Sequence, residues 1–145
     1  MQGRRGQFRS KTEAKNLRKA KWACLKCTAT FTEKTKECDE CHNPVMYFAS
    51  TGELRRYRSL QVQQRGGLIK NLEVQVPYRV VINDKKICTY NADFRYTKLD
   101  SNLQELQVVE DFKGTKNEKY LDPAFKLKRK LIEAVFGISI AISSN

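Results

Sequence analysis

The sequence lacks any long run of apolar residues, and it has no apolar segment near its first residue. A membrane-spanning helix needs about 20 consecutive apolar residues, whereas the apolar segment at residues 138–142 is only long enough for a strand. The opening residues, Met-Gln-Gly-Arg-Arg-Gly, do not resemble a secretory signal peptide. These absences argue against a membrane span and predict an intracellular, cytoplasmic protein.

Acidic residues are scarce relative to basic ones. The chain has 28 Lys and Arg against 16 Asp and Glu, a formal net charge of +12. Such an excess indicates a polyanionic partner, with nucleic acid first and an anionic membrane surface second. Residues 1–22 are read as a basic arm, with a short helix over residues 12–21, and the arm either is simply solvated or tracks phosphates. The apolar fraction of 40% is enough for a modest core in the rest of the chain.

Histidine occurs once, whereas cysteine occurs five times. Four of the cysteines form two Cys-x-x-Cys pairs separated by ten residues: Cys24, Cys27, Cys38 and Cys41. Because intracellular thiols stay reduced, this spacing predicts a structural Zn²⁺ ribbon over residues 23–47. Two disulfides, free thiols, or replacement of one ligand by His42 are the alternatives. The isolated Cys88 is interpreted as a small core residue.

Residues 48–145 alternate between helical and strand patterns and are predicted to form one domain. Gly66-Gly67 and Asn83-Asp84 are breaks between elements, and Asp122-Pro123 is a helix start. The predicted order is αβββαβ, an α/β fold in which a three-stranded meander is followed by a helix and a last strand beside the third. The elements are expected at residues 50–64, 72–80, 86–97, 103–113, 122–136 and 138–142. In the last helix, Leu127, Leu131 and Val135 are predicted to form the apolar stripe.

Two predicted strands carry acids that a half-buried strand would not favour. Residues two apart on a strand share a face, so Asp111 and Lys113 should point the same way. Glu110 should point to the other face, where it either supports the site indirectly or is structural. The neighbouring strand supplies Asp93. Carboxylates of this kind bind Mg²⁺, with water and phosphate completing the coordination. The pattern favours a metal-dependent phosphodiesterase centre.

Glu53 has two interpretations. Ser50-x-x-Glu53 is a capping-box pattern at the start of the first helix. Alternatively, Glu53 is a third carboxylate that approaches the metal from that helix. The spacing alone does not separate these two possibilities.

The set Asp93, Asp111 and Lys113 in an αβββαβ order resembles the PD-(D/E)xK nuclease superfamily, although Ala92 stands where that family often has proline. The sequence is also similar to small phage-encoded endonucleases of this superfamily, for which the site of action would be the host cytoplasm. The similarity extends over residues 48–142. It is carried by residues 52–57, 72–75, 88–90, 92–94, 109–114 and 126–130.

The resemblance implies hydrolysis of a DNA phosphodiester by metal-activated water, which leaves 5′-phosphates. Asp93, Asp111 and the backbone carbonyl of Phe112 would hold Mg²⁺ or Mn²⁺, and Lys113 would orient the water or stabilise the phosphate. The resemblance favours Glu53 as the helical glutamate of the site. Glu13 is the second choice, because residues 8–14 are similar to the start of that helix in many relatives.

The same resemblance extends to the endonuclease I junction resolvases of phages, which act as dimers. It implies a structure-selective endonuclease, for example a Holliday-junction resolvase, that works as a homodimer on branched DNA. A nicking or restriction-like enzyme is the alternative within the enzyme class, and a non-catalytic zinc-ribbon DNA-binding protein is the alternative from another class. The residues expected to contact DNA are Arg55, Arg56, Lys116, Lys126, Lys128, Arg129 and Lys130.

Overall fold

A computed structural model describes residues 21–144. The chain divides into two compact units, Met1–Leu54 and Arg55–Asn145, and the division falls after the first turn of a helix. The basic arm up to residue 20, with most of its expected helix, lies outside the described residues. Within the described part of the chain, no helix is long and apolar enough to cross a membrane.

The first unit contains a small antiparallel sheet around the cysteines. Its strands are β1 (Trp22–Cys24), β2 (Thr30–Phe31) and β3 (Val45–Tyr47), in the order β2-β1-β3. The rings of Trp22 and Tyr47 face each other across β1 and β3, with centroids 5.1 Å apart. Strands this short have few ladder hydrogen bonds, so the segment needs a further source of stability.

Helix α1 (Thr51–Arg65) begins and ends as the sequence predicts. The Ser50 hydroxyl accepts the backbone N–H of Glu53 at 3.1 Å, which is one half of the expected capping box. The helix ends at the two glycines, and Gly67 adopts a φ of 76°, which favours glycine. The side chains of Leu54, Tyr57 and Leu60 are buried, as their helical spacing predicts.

The second unit is built on a mixed four-stranded sheet. Its strands are β4 (Ile69–Ile82), β5 (Lys85–Leu99), β6 (Glu105–Phe112) and β7 (Ile140–Ser143), in the order β4-β5-β6-β7. The first three strands are antiparallel neighbours, and β7 pairs with β6 in parallel. The predicted α/β class, element order and position of the last strand are therefore confirmed. The strands of the hairpin are longer than expected at both ends. A two-residue turn joins them, with Asn83 and Asp84 at φ 49° and 62°.

Helix α2 (Pro123–Phe136) connects β6 to β7. Asp122 caps its start by accepting the Ala124 N–H at 2.6 Å, and Gly137 ends it at a φ of 63°. The predicted apolar stripe is wrong in part, since Leu127 is 70% exposed and Val135 is 45% exposed. The buried residue is Ile132, which packs on the sheet in a cluster with Phe125 and Leu131 at its edge. The stripe is shifted because Phe125 and Ile132, seven residues apart, also lie on one helical face.

The hairpin β4–β5 changes face in the middle of both strands. Ala92 belongs to the cluster around Ile132, whereas Phe94, two residues later, stacks on Tyr57 of α1 with ring centroids 6.4 Å apart. Residues two apart normally share a face, so the alternation is interrupted at Asp93. The opposing residue on β4 is Gln75, which adopts a φ of 51°. This irregularity places Asp93 at the point where β5 turns away from β6.

Candidate active site and metal centre

The four predicted zinc ligands converge in the first unit. Their sulfurs all lie within 4.8 Å of one another, with Cys24 Sγ 3.4 Å from Cys41 Sγ and Cys27 Sγ 3.5 Å from Cys38 Sγ. These separations are far longer than a disulfide bond of about 2.05 Å. They are close to the roughly 3.8 Å edge of a tetrahedron with Zn–S bonds of about 2.3 Å. The cluster can hold a metal ion and is compatible with structural zinc.

Backbone amides support the cysteine sulfurs. The N–H groups of Lys26 and Cys27 lie 3.4 Å from Cys24 Sγ, and that of Ala29 lies 3.4 Å from Cys27 Sγ. Such N–H···S contacts stabilise thiolates, the form that binds metal. Hydrogen bonds from Asn43 lower the pKa of Cys41 to about 6. The amide of Ala29 lowers the pKa of Cys27, but burial and the neighbouring thiols outweigh it and raise that pKa to about 12.

His42 is not part of the cysteine cluster. Its Nδ1 lies 2.9 Å from Glu37 Oε1, and both side chains are well exposed. The four-cysteine set is complete without it. The fifth cysteine, Cys88, packs against the core of the second unit as predicted.

Asp111, at the end of β6, is 3% exposed, and each of its oxygens has a polar neighbour. The Tyr90 hydroxyl donates a hydrogen bond to Oδ2. Lys113 Nζ lies 2.7 Å from Oδ1, so the two side chains share a face as the strand period predicts. Oδ1 accepts no hydrogen bond from any described residue, which means that the lysine contact is an ion pair without hydrogen-bond geometry. A lone pair of this buried oxygen is therefore available to a cation.

Asp93 lies beside the end of β6. The backbone pairing of β5 with β6 ends at Phe94 and Glu110, and beyond that pair the Asp93 carboxylate accepts the Phe112 N–H at 2.8 Å through Oδ2. Its Oδ1 lies 3.4 Å from Gln75 Nε2. The side chain of Asp93 thus continues the link between two strands whose backbones have separated.

Lys113 is positioned by two neighbouring elements. Its backbone N–H donates to the Ser143 carbonyl of β7 at 2.8 Å. Its ammonium lies 4.1 Å from the centroid of the Phe125 ring on α2, a cation–π distance. The lysine is therefore fixed at its backbone and at its charged end, and it remains one-third exposed.

The protonation of Tyr90 makes it a hydrogen-bond donor at neutral pH. Burial, and then the hydrogen bond to Asp111, raise the pKa of the phenol well above its usual value of 10.0. The phenol therefore keeps its proton and donates a hydrogen bond to Asp111 Oδ2. Sequence reasoning did not single out Tyr90 or Gln75, although a tyrosine on a buried strand face needs a partner for its hydroxyl.

Glu110 faces the opposite side of the sheet from Asp111, as predicted. It is 2% exposed and accepts hydrogen bonds from Arg56 Nε at 2.6 Å, from Arg56 Nη2 at 2.9 Å and from the Tyr96 hydroxyl at 2.8 Å. Burial raises the pKa of Glu110, but Arg56 and Tyr96 outweigh burial and hold it below its usual value. Burial and the contact with Glu110 in turn raise the pKa of Tyr96 to about 12.

Glu53 lies in the first turn of α1 and is 4% exposed. Its backbone N–H confirms the capping contact with Ser50, and its role as a metal ligand stays a prediction. Glu13 and residues 8–14 lie outside the described residues. Among residues 21–144, the cysteine cluster is the only group of three or more Cys, His, Asp or Glu side chains whose ligand atoms lie within 4.8 Å of one another. The acids of the sheet do not form a second such group.

The residues expected to contact DNA fall into two groups. Two of them already pair with carboxylates: Arg56 with Glu110, and Arg129 with Glu118 at 2.6 Å. The others are Arg55, Lys116, Lys126, Lys128 and Lys130. Lys126 is partly buried and the other four are exposed. Pairing reduces the charge that Arg56 and Arg129 can offer to a phosphate.

Comparison of the chain with protein-family models, with curated proteins and with solved structures found no match.

Proposed function

We propose that this protein is a metal-dependent, structure-selective DNA endonuclease of the PD-(D/E)xK type. The observation that carries the proposal is the grouping of Asp93, Asp111 and Lys113 at the end of β6, where β5 separates from it. Sites with paired carboxylates and a lysine suit phosphodiester hydrolysis, because the carboxylates can hold a metal ion that neutralises phosphate charge and the lysine can stabilise further negative charge.

The metal would be held by Asp111 Oδ1, by the Asp93 carboxylate and by the backbone carbonyl of Phe112. When bound, Mg²⁺ or Mn²⁺ supplies a water of lowered pKa and neutralises charge on the phosphate. Lys113, beside Asp111 and one-third exposed, would stabilise the attacking water or the phosphate through its ammonium. Glu53 is kept as a further ligand or supporting acid.

The substrate proposed is branched DNA, and a Holliday junction in particular. The net charge of +12 supports a polyanionic partner. Recognition would then rest on DNA shape and charge, since no element that reads bases is evident from the sequence. Because a four-way junction is symmetric and needs two cuts, the protein would act as a homodimer. The cysteine cluster would hold one structural Zn²⁺.

The test is cleavage of a four-way junction, a flap and a linear duplex, each with Mg²⁺ and with EDTA. Asp111→Asn and Lys113→Ala are compared with Asp84→Asn and Lys85→Ala, which make the same changes in the exposed turn of the β4–β5 hairpin. We expect Mg²⁺-dependent cutting of the junction by the wild type and by the two turn variants. Cutting should fall by at least about 100-fold in the two site variants, as general acid–base and metal-site losses typically do.

If the wild type cuts none of the three substrates, the nuclease proposal is wrong. If the wild type also binds DNA and Asp111→Asn leaves this binding unchanged, the result favours a non-catalytic DNA-binding protein. If linear duplex is cut as fast as the four-way junction, the protein is a nicking or restriction-like enzyme and not a junction-selective one.

A further inference from the structure

We propose that Tyr90 is a positioning residue that holds Oδ2 of Asp111 and thereby presents Oδ1 to a divalent cation. This inference rests on the proposed function and adds to it a residue outside the proposed ligand set.

The first support is the way in which the tyrosine is fixed. Tyr90 is 5% exposed on β5 and packs in the core cluster beside Tyr78, whose ring centroid is 6.4 Å away. A ring held in this way has little freedom to move its hydroxyl. The hydroxyl donates to Asp111 Oδ2 in a buried contact, so the bond fixes the plane of the carboxylate.

The second support is that the two oxygens of Asp111 have different surroundings. Oδ2 accepts from a neutral donor that a cation would not displace by charge repulsion. Oδ1 lies 2.7 Å from the Lys113 ammonium but accepts no hydrogen bond from any described residue. A carboxylate held through one oxygen binds a metal ion through the other. Partners that orient a metal ligand in this way are worth about 10–100-fold in metal affinity.

The third support is the lack of backbone pairing at this point. The ladder between β5 and β6 ends at Phe94 and Glu110, one residue before Asp111. The side chains of Tyr90 and Asp93 bridge the strands beyond that pair. Without the Tyr90 hydroxyl, the carboxylate of Asp111 would lose its connection to β5 and would keep its ion pair with Lys113 while Oδ2 was no longer fixed.

The experiment measures Mn²⁺ binding to the zinc-saturated full chain by electron paramagnetic resonance and calorimetry. The variants are Tyr90→Phe, Asp111→Asn and the matched control Tyr78→Phe, which removes a hydroxyl from the same core cluster near Arg95. Thermal melts and DNA binding in EDTA are recorded for each protein. We expect Tyr90→Phe to weaken Mn²⁺ binding at least tenfold, with DNA binding in EDTA unchanged and Tyr78→Phe like the wild type.

The outcomes separate the two proposals. Wild-type Mn²⁺ binding no tighter than that of Asp111→Asn overturns the proposed function itself. Tight binding by the wild type that Tyr90→Phe leaves unchanged, or that Tyr78→Phe weakens equally, overturns only the role of Tyr90.

A second measurement needs no variant at Tyr90. Titration of wild-type protein with Mg²⁺ is followed by tyrosine difference absorbance, with Asp111→Asn as the reference. A cation on Oδ1 changes the charge of the acceptor of the Tyr90 hydroxyl, so we expect a difference spectrum that the reference lacks. A wild-type protein that binds Mg²⁺ without that spectrum contradicts the inference.

Discussion

Gln75 adopts a left-handed backbone conformation in the middle of a strand, and its side-chain amide points to Asp93. A residue other than glycine in this conformation typically costs about 1 kcal/mol or more, and such residues cluster at functional sites. The face change of the hairpin, which brings Asp93 beside β6, depends on this irregular position.

Replacement of Gln75 by glycine should therefore separate stability from activity. Glycine accepts the left-handed conformation, so the free energy of unfolding should change by less than about 1 kcal/mol. DNA cleavage should fall, because the amide beside Asp93 is lost. Asn71→Gly is the control, since Asn71 also has a positive φ in β4 and is exposed. Equal cleavage by both variants, measured beside urea unfolding curves, would remove Gln75 from the site.

At the scale of elements, helix α1 is tied to strand β6 by the ion pair of Arg56 with Glu110. Breaking a buried pair by removal of one partner costs about 3–5 kcal/mol. Arg56 is 28% exposed, so we expect Arg56→Ala to lower the free energy of unfolding by a smaller amount, about 2–4 kcal/mol. The control is Lys70→Ala at the exposed pair with Glu105, where less than about 1 kcal/mol is expected. Urea denaturation of both variants provides the comparison.

The same pair predicts how stability depends on pH. The pKa of Glu110 is lowered in the folded state from its usual value of 4.5, because Arg56 and Tyr96 outweigh the effect of burial. A lowered pKa stabilises the fold above the unfolded pKa, and that contribution is lost as pH falls through the folded pKa. The pH range of roughly 5 to 3 brackets the usual pKa of 4.5 and extends below it. As pH falls through this range, the wild type should lose more stability than Glu110→Gln. Parallel pH profiles from thermal melts would contradict this assignment.

Local patterns predict most of the second unit because capping residues, turns and strand alternation act over a few residues. Asp122, Gly137 and the Asn83-Asp84 turn each mark an element boundary that the structure confirms. The buried face of α2 was predicted only in part, because Leu127 and Ile132 are equally apolar and only tertiary packing selects between them. The partners of Asp111 and Asp93 were not predictable either. They depend on a face change at Gln75 that breaks the alternation on which strand reasoning relies.

At the scale of the whole molecule, the charge of +12 predicts a steep dependence of DNA affinity on salt. A protein that neutralises 6–10 phosphates loses about 10³–10⁵ in affinity between 50 and 200 mM salt. We expect fluorescence anisotropy to show a loss of DNA affinity in this range for the full chain. A flat salt dependence would argue against phosphate contacts as the source of binding.

The division of the chain into two units predicts separate responses to a chelator. The first unit buries few large apolar side chains, so metal binding would supply most of its folding free energy, about 10–16 kcal/mol for structural zinc. Zinc removal should therefore erase the dispersed amide resonances of residues 21–49 and leave those of β4 to β7 in place. Metal analysis should give one zinc per chain before chelation. Values well below one, or a first unit that stays folded without metal, would refute the zinc assignment.

The hydrogen bond from the Phe112 amide to Asp93 can report on cation binding at the proposed metal site. That amide is protected by a side chain and not by a neighbouring backbone carbonyl of β5, so its rate of hydrogen exchange follows the position of one carboxylate. A cation that binds Oδ1 of Asp93 leaves the Phe112 proton protected, whereas one that draws both oxygens away releases it to solvent. The exchange rate of the Phe112 amide proton would therefore distinguish monodentate from bidentate coordination by Asp93, and it can be measured without a DNA substrate.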